Sequence, residues 1–434
     1  MQKTMRVRFI ILALLLTASI VPNLGIQVNT FGFSWNFYRI VIVSMVLVTL
    51  VLFRGELQIR RQKGFLLWMG FLVVWFVYGL IQIISFPYAD MSRGMQELFT
   101  ILCAIFVFYI FSCISIDREE YERLMRIVFF LLLALILLGF FEIITGKHMS
   151  TSMFNDPANK VAWKMDNHSA AGIMYNVNDF SALITLMCPL AIGRYRIQMG
   201  RVKFDLGWIL LVCVFLINRQ NTANICNMAI IAGILLYLIL MVMKDRRKVG
   251  VILLILLLVA AVGVALIIIL GADQKGLVGQ WADQLTEYDI GKGSMHARLL
   301  IYQDALSVSW ATGLMGLGPG GFPVYFGAHG STSGFINPHS YLLEILSQYG
   351  ILILFAFLTL LGYMVYRALR LLRSGASEET VRLARTVVLI VAMLLITSFA
   401  SSSYMLNNYN WGILALLILG LEMEEHGGHE KVWG

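Results

Sequence analysis

Apolar runs alternate with short polar breaks along the whole chain. They fall near residues 9–26, 37–53, 65–85, 97–115, 125–145, 177–193, 205–218, 226–243, 249–271, 339–366, 383–401 and 405–422. A helix that crosses a bilayer needs about 20 apolar residues, fewer where flanking polar groups reach the interface. The pattern therefore predicts an all-α polytopic membrane protein with about 12 transmembrane helices, forming one integral membrane domain over residues 1–434. The first run follows MQKTMRVR and has the look of a signal peptide. No small-residue cleavage site follows Ile20, so it is read as a retained span.

Composition agrees with this reading. Hydrophobic residues make up 59% of the chain and charged ones 13%, with a mean hydropathy of +0.79, a balance that a soluble domain cannot bury. The net charge of +8 does not point to nucleic acid, because the basic residues sit in clusters between apolar runs. With the amino terminus in the cytoplasm, 24 of the 33 Lys and Arg residues fall in cytoplasmic segments. The positive-inside rule then places both termini in the cytoplasm, and the expected location is the cytoplasmic (inner) membrane. The cytoplasmic loops are too short for a nucleotide-binding fold and contain no phosphate-binding P-loop. Cys103, Cys113, Cys188, Cys213 and Cys226 lie in or at the ends of apolar runs and read as small core residues. The histidines lack metal-ligand spacing, so neither a metal nor a cofactor is expected.

The longest polar interruption is a large extracytoplasmic loop, 272–338, between spans 9 and 10, with amphipathic helical character. Arg298 opens the stretch RLLIYQDALSVSW, whose helical spacing suits a helix on the membrane surface or over a cavity. Arg219 ends the seventh span on the same side, beside Asn218, Gln220 and Asn221. Snorkelling to lipid phosphate is the competing reading for each arginine. In FINPHSYLLE, Asn337 suits an N-cap and Pro338 a first helical position, so His339 is expected in the first turn of the tenth span. The positive end of the helix dipole would keep its imidazole neutral and able to accept a proton, although a capping role explains it equally. Glu344 is about 140° round the helix from His339 and is assigned to substrate binding or to orienting a neighbour. Asn176 and Asn178, with Asp179, open the sixth span, where capping explains part of the cluster and sugar or diphosphate binding the rest. The GLGPGG turn brings in Gly318 and Gly320, which allow close backbone approach to a diphosphate or simply break the chain between helices. Tyr409 and Trp411, with Tyr404, Asn407 and Asn408, are expected to face outward in an aromatic belt.

Taken in order, INRQNTAN, HARLLIYQDAL, GLGPGGF and PHSYLLEILSQYGILILFAFL resemble the O-antigen ligase and polymerase family, as does NVNDFSALITLMCP. The resemblance covers roughly residues 170–420, and the segment around His339 is its most specific part. It implies a C-type glycosyltransferase fold that transfers or polymerises glycan from a polyprenyl-diphosphate-linked oligosaccharide donor to a glycan or lipid-linked acceptor, on the outer face of the membrane. By motif, the family's two arginines map onto Arg219 and Arg298 and its histidine onto His339. Ser340 stands where the family often has Asn, and Asn218-Arg219-Gln220 stands where it has a Ser-Arg-Gly-like sequence. Polymerase is the primary expectation and O-antigen ligase the alternative. A lipid-linked oligosaccharide flippase and a non-catalytic scaffold are the rival classes.

Overall fold

A computed structural model describes residues 2–23, 27–30, 33–52, 62–156, 167–199, 202–244, 294–330, 338–374, 377–400 and 407–426. Thirteen α-helices occur among them: α1 (Gln2–Ile20), α2 (Phe37–Leu52), α3 (Lys63–Ser85), α4 (Met91–Cys113), α5 (Arg118–Thr145), α6 (Val177–Ala191), α7 (Leu206–Gln220), α8 (Asn224–Lys244), α9 (Ser294–Ala311), α10 (Gly321–His329), α11 (Tyr341–Arg373), α12 (Glu378–Thr397) and α13 (Tyr409–His426). Two short antiparallel hairpins, β1 (Gln27–Thr30) with β2 (Phe33–Asn36) and β3 (Arg196–Met199) with β4 (Val202–Asp205), link successive helices. Eleven of the twelve expected spans coincide with helices; the twelfth, 249–271, lies outside the described residues, as do 272–293 and 331–337 of the large loop. Among the described residues, six helices are long and apolar enough to cross a membrane, and four further apolar helices are shorter. The chain is thus an all-α multi-pass membrane protein, and the count of twelve crossings remains an expectation.

Local signals explain where the helices start. Asp117 and Glu120 form a reciprocal capping box at α5: the Asp117 carboxylate accepts from Glu120 N at 2.8 Å, and Glu120 Oε2 accepts from Asp117 N at 3.1 Å. Glu119 and Glu120 add negative charge to the first turn, and Gly146, at φ 63°, closes the helix in the left-handed region. Between the helices, Trp68, Phe71, Trp75, Phe108, Phe357 and Trp411 pack ring on ring, mostly edge to face. The expectation that Tyr409 and Trp411 face outward is therefore corrected. They are 0% and 2% exposed, because the start of α13 is drawn into this aromatic core. Asn407 and Asn408 are buried with them, and Tyr404 lies outside the described residues.

One end of the bundle is bound by ion pairs. Arg367 reaches Glu422 at 2.7 Å and Glu425 at 2.9 Å, Arg118 reaches Glu379 at 2.8 Å and Glu424 at 3.1 Å, and Glu122 is shared by Arg194 at 2.6 Å and Arg382 at 3.2 Å. These pairs join the near ends of α5, α11, α12 and α13 to the turn after α6. The candidate active site lies at the other end.

Candidate active site

At that opposite end the chain arrives at α6, leaves α7, enters α8 and α11, and ends α12. Asn176 is the α6 N-cap, its side-chain oxygen accepting from Asn178 N at 2.8 Å, so capping accounts for one oxygen of Asn176. Asn178 and Asp179 follow in the first turn, both half-buried. The NRQN sequence at the end of α7 divides by helical geometry. Asn218 and Asn221, three residues apart, face inward. Asn218 Nδ2 donates to Thr185 Oγ1 at 2.8 Å. Asn221 accepts from Ala170 N at 2.7 Å and donates to Ala170 O at 2.8 Å and to Ser181 Oγ at 3.0 Å. Both amides are thereby committed to holding the 167–176 segment and α6 on α7. Arg219, between them in sequence, is turned towards the rim and half-buried.

Small residues let the next elements approach closely. Cys226, at the start of α8, is fully buried among Ala182, Ala223 and Ala400. It contacts the Thr185 hydroxyl and lies within electrostatic range of both Asp179 and Arg298. Arg298 itself is on α9, one turn inside the helix. Its Nη1 donates to Phe399 O at 2.7 Å, just past the end of α12, and its guanidinium also bonds the Tyr302 hydroxyl. Tyr302 is four residues on and therefore on the same helix face. Its ring stands edge-on to Phe399, with centroids 5.9 Å apart.

His339 is where sequence and structure differ most. The expected placement in the first turn is corrected: Ser340 is the N-cap, α11 begins at Tyr341, and Asn337 lies outside the described residues. His339 precedes the cap with φ 44°, an uncommon left-handed conformation for a residue with a Cβ. Two residues on, Tyr341 N donates to Ser398 O at 2.9 Å, which ties this corner to the same turn after α12 that holds Arg298. Burial, and secondarily the Arg298 cation, lower the His339 pKa from 6.5 to about 4. The imidazole is neutral as expected, but desolvation and a nearby charge hold it so.

The structure thus brings Arg298 and His339 together, with Tyr302, Cys226 and Asp179 around them. Arg219 is at the rim of the same end; the route from its turn to Arg298 runs through Asn218, Thr185 and Cys226. Glu344 is buried in the first turn of α11, where its amide donates to Ser340 O at 2.8 Å. Gly318 and Gly320 stand on another flank. Leu317 N and Gly318 N donate to Ser347 O at 2.8 Å and Gln348 O at 2.9 Å, and Ile351 N donates to Leu314 O at 2.9 Å. These bonds satisfy α11 where it breaks at Gly350 (φ 84°, ψ 179°), a discontinuity that the uninterrupted apolar run concealed. A Cβ on Gly318 would meet Ala89 Cβ at 2.8 Å, so its close approach is to the turn before α4. Tyr302 was missed by sequence reading, although its i+4 spacing from Arg298 in RLLIY is a usable signal.

The O-antigen ligase family model matches residues 206–358. The matched segment runs from the start of α7 into α11, and includes Arg219, Arg298, Gly318, Gly320, His339 and Glu344 while leaving out Asn176 and Asn178. The teichuronic acid biosynthesis protein TuaE of Bacillus subtilis (strain 168) is 22% identical over 433 residues, an alignment that covers 95% of this chain and 84% of the relative. The resemblance carried by INRQNTAN, HARLLIYQDAL and PHSYLLE is therefore a match to the O-antigen ligase family.

Proposed function

We propose that this protein, a membrane protein of surface-polysaccharide biosynthesis, is a glycosyltransferase that extends glycans carried on polyprenyl diphosphate. The observation that carries the reading is the pairing of a fixed cation with a neutral imidazole at one end of the bundle: Arg298 is bonded to Phe399 O at 2.7 Å, and His339 is held at a pKa of about 4. The acceptor hydroxyl attacks the anomeric carbon and its proton passes to His339. As the new glycosidic bond forms, the bond from that carbon to the diphosphate oxygen breaks and its electron pair leaves with the diphosphate. A diphosphate leaves as a stable anion, so it needs charge stabilisation and not a general acid. Arg298 has further N–H groups beyond those given to Phe399 and Tyr302, and Arg219 at the rim adds a second guanidinium of matching fork geometry. Asn178 and the amide nitrogen of Asn176 are assigned to sugar hydroxyls, and Gly318, Gly320 and Glu344 to the flank of the site. The positive-inside pattern puts this end outside the cytoplasm, where a lipid-linked donor enters sideways from the bilayer. Neither a metal nor a nucleotide takes part.

Extension is preferred over attachment to a lipid A core because it assumes no particular acceptor in the host. Ligation is the alternative and uses the same chemistry with a different acceptor. In the test, purified His339→Ala and Arg298→Ala variants, shown to be folded by unchanged thermal unfolding, are given lipid-linked donor. Loss of transfer with retained donor binding by His339→Ala is the expected result. Full activity of His339→Ala overturns the assignment of the base, and movement of donor across liposomes without its consumption overturns transfer in favour of a flippase.

A further inference from the structure

At the ion-paired end, α6, α8 and α12 enclose a second polar site that the transfer chemistry does not use. An open cleft of about 480 Å³ is lined by Arg196, Arg382 and Arg385, with Asp205 and Glu378 on its walls. It adjoins a narrow, shallow apolar crevice, and Pro189, Ile192, Tyr237 and Leu389 line both. The two form one groove with an apolar arm and a basic head. Its far side is the bilayer-facing surface of α7 and α8, where Ile209, Ile231, Leu235 and Ile239 are exposed.

The charges in the head are unequally committed. Asp205 is occupied by its own turn, Oδ2 accepting from Gly193 N at 2.6 Å and Oδ1 from Gly207 N at 2.9 Å. Arg196 pairs with the exposed Glu378 at 3.3 Å, and Arg382 with Glu122 at 3.2 Å. Arg385 stands 5.7 Å over the Tyr237 ring, and its buried Nε has no hydrogen-bond partner among the described residues. A buried guanidinium N–H facing a polar opening calls for an anion with several acceptor oxygens. The crevice beside it is lined by apolar side chains, which suits a hydrocarbon chain lying along its mouth. The site lies about 21 Å along α12 from Phe399, fourteen residues at 1.5 Å each, so it belongs to the membrane face opposite His339.

We infer that this groove binds one anionic phospholipid from the leaflet opposite the candidate active site, its phosphate on Arg385 and Arg196 and an acyl chain in the crevice. A basic pocket between helices beside lipid is the usual physical setting for such headgroup binding. The ring of Tyr237 spans the junction of the two arms, where glycerol would sit.

Native mass spectrometry of the full-length, delipidated protein titrated with phosphatidylglycerol tests this. Wild type is expected to retain one phosphatidylglycerol more tightly than phosphatidylcholine. Arg385→Gln, which breaks no ion pair among the described residues, should weaken that binding on the order of tenfold, the effect of losing a hydrogen bond to a charged group. Arg385→Lys should keep part of it, and Ile234→Trp, which fills the crevice, should weaken it without touching a charge. Arg123→Gln, at an exposed pair on α5, is the control and should bind as wild type. Equal retention by Arg385→Gln and wild type overturns the inference, as does equal binding of phosphatidylcholine. Displacement by glycerol 3-phosphate with no effect of Ile234→Trp also overturns it, since the site then takes a free phosphate ester and not a lipid.

Discussion

If His339 is the base, the acid side of the pH–rate profile should lie far below the ordinary histidine range. Its pKa is about 4, against 6.5 for an unperturbed imidazole, and burial is the larger cause. At pH 5.5 the neutral fraction is then about 97%, whereas an unperturbed histidine would be about 9% neutral. kcat/KM at pH 5.5 should therefore stay close to its value at pH 7.5, where a solvent-exposed base would have lost about tenfold. kcat should fall at higher pH than kcat/KM, because a bound diphosphate places negative charge near the ring and raises its pKa. Stability moves in a known direction over the same range. The unfolded chain takes up a proton near pH 6.5 and the native one only near 4, so the contribution of neutral His339 is complete above about 6.5 and is lost as pH falls towards 4. Thermal unfolding at each pH separates that loss from chemistry. The assay is initial-rate polymerisation with purified lipid-linked donor between pH 4.5 and 8. An acid limb centred near 6.5 in folded protein refutes the burial argument, and an unchanged limb in a His339 variant refutes the assignment of the base.

Other expectations rest on packing. Asn221→Ala strands the N–H and C=O of Ala170 and should destabilise the protein by about 2–4 kcal/mol in denaturant titrations in detergent. Gly350→Ala puts a Cβ 2.4 Å from Leu314 O at a φ of 84° and should cost about 3 kcal/mol or more, whereas Gly362→Ala, with nothing within 4 Å, should stabilise α11 by about 0.5–1 kcal/mol; paired thermal melts check both. Glu122→Gln leaves Arg194, 2% exposed, without its charge partner and should destabilise by about 3–5 kcal/mol, which unfolding of the variant beside wild type will measure.

Most helices were legible because an apolar run and a capping residue are local signals. Asp117 with Glu120, and Asn176 at the start of α6, show the rule working. His339 shows its limit. Asn337-Pro338 is a sound helix start by propensity, yet Tyr341 N is bonded to Ser398 O, and that long-range bond moves the start three residues on. Tyr409 and Trp411 fail for a related reason, since an aromatic residue at the end of an apolar run reads the same whether it meets headgroups or Trp75. The break at Gly350 was hidden because its partners, Leu314 to Gly318, come from a loop more than thirty residues away in sequence. The arginines were found by their polarity in apolar surroundings, but only the fold shows that Arg298 and His339 are neighbours.

The two ends of α6, α8 and α12 use opposite means to hold polar groups, and the difference bears on where chemistry is possible. At the ion-paired end most arginines are spent on carboxylates: Arg194 and Arg382 on Glu122, Arg367 on Glu422 and Glu425. A guanidinium so neutralised has little field left for a ligand, and losing its partner is costly. At the other end much of the fixing is done by uncharged groups, namely Asn218 on Thr185, Asn221 on Ala170 and the Phe399 carbonyl on Arg298, while the Glu142 carboxylate is spent on the backbone amides of Ala171 and Gly172. The Phe399 carbonyl positions the Arg298 guanidinium without neutralising it, beside a neutral base. Replacing Phe399's role with a carboxylate would bind Arg298 more strongly and disarm it. The same reasoning points to Arg385, which meets a ring face and pairs with no carboxylate among the described residues, as a cation at the far end with charge to offer.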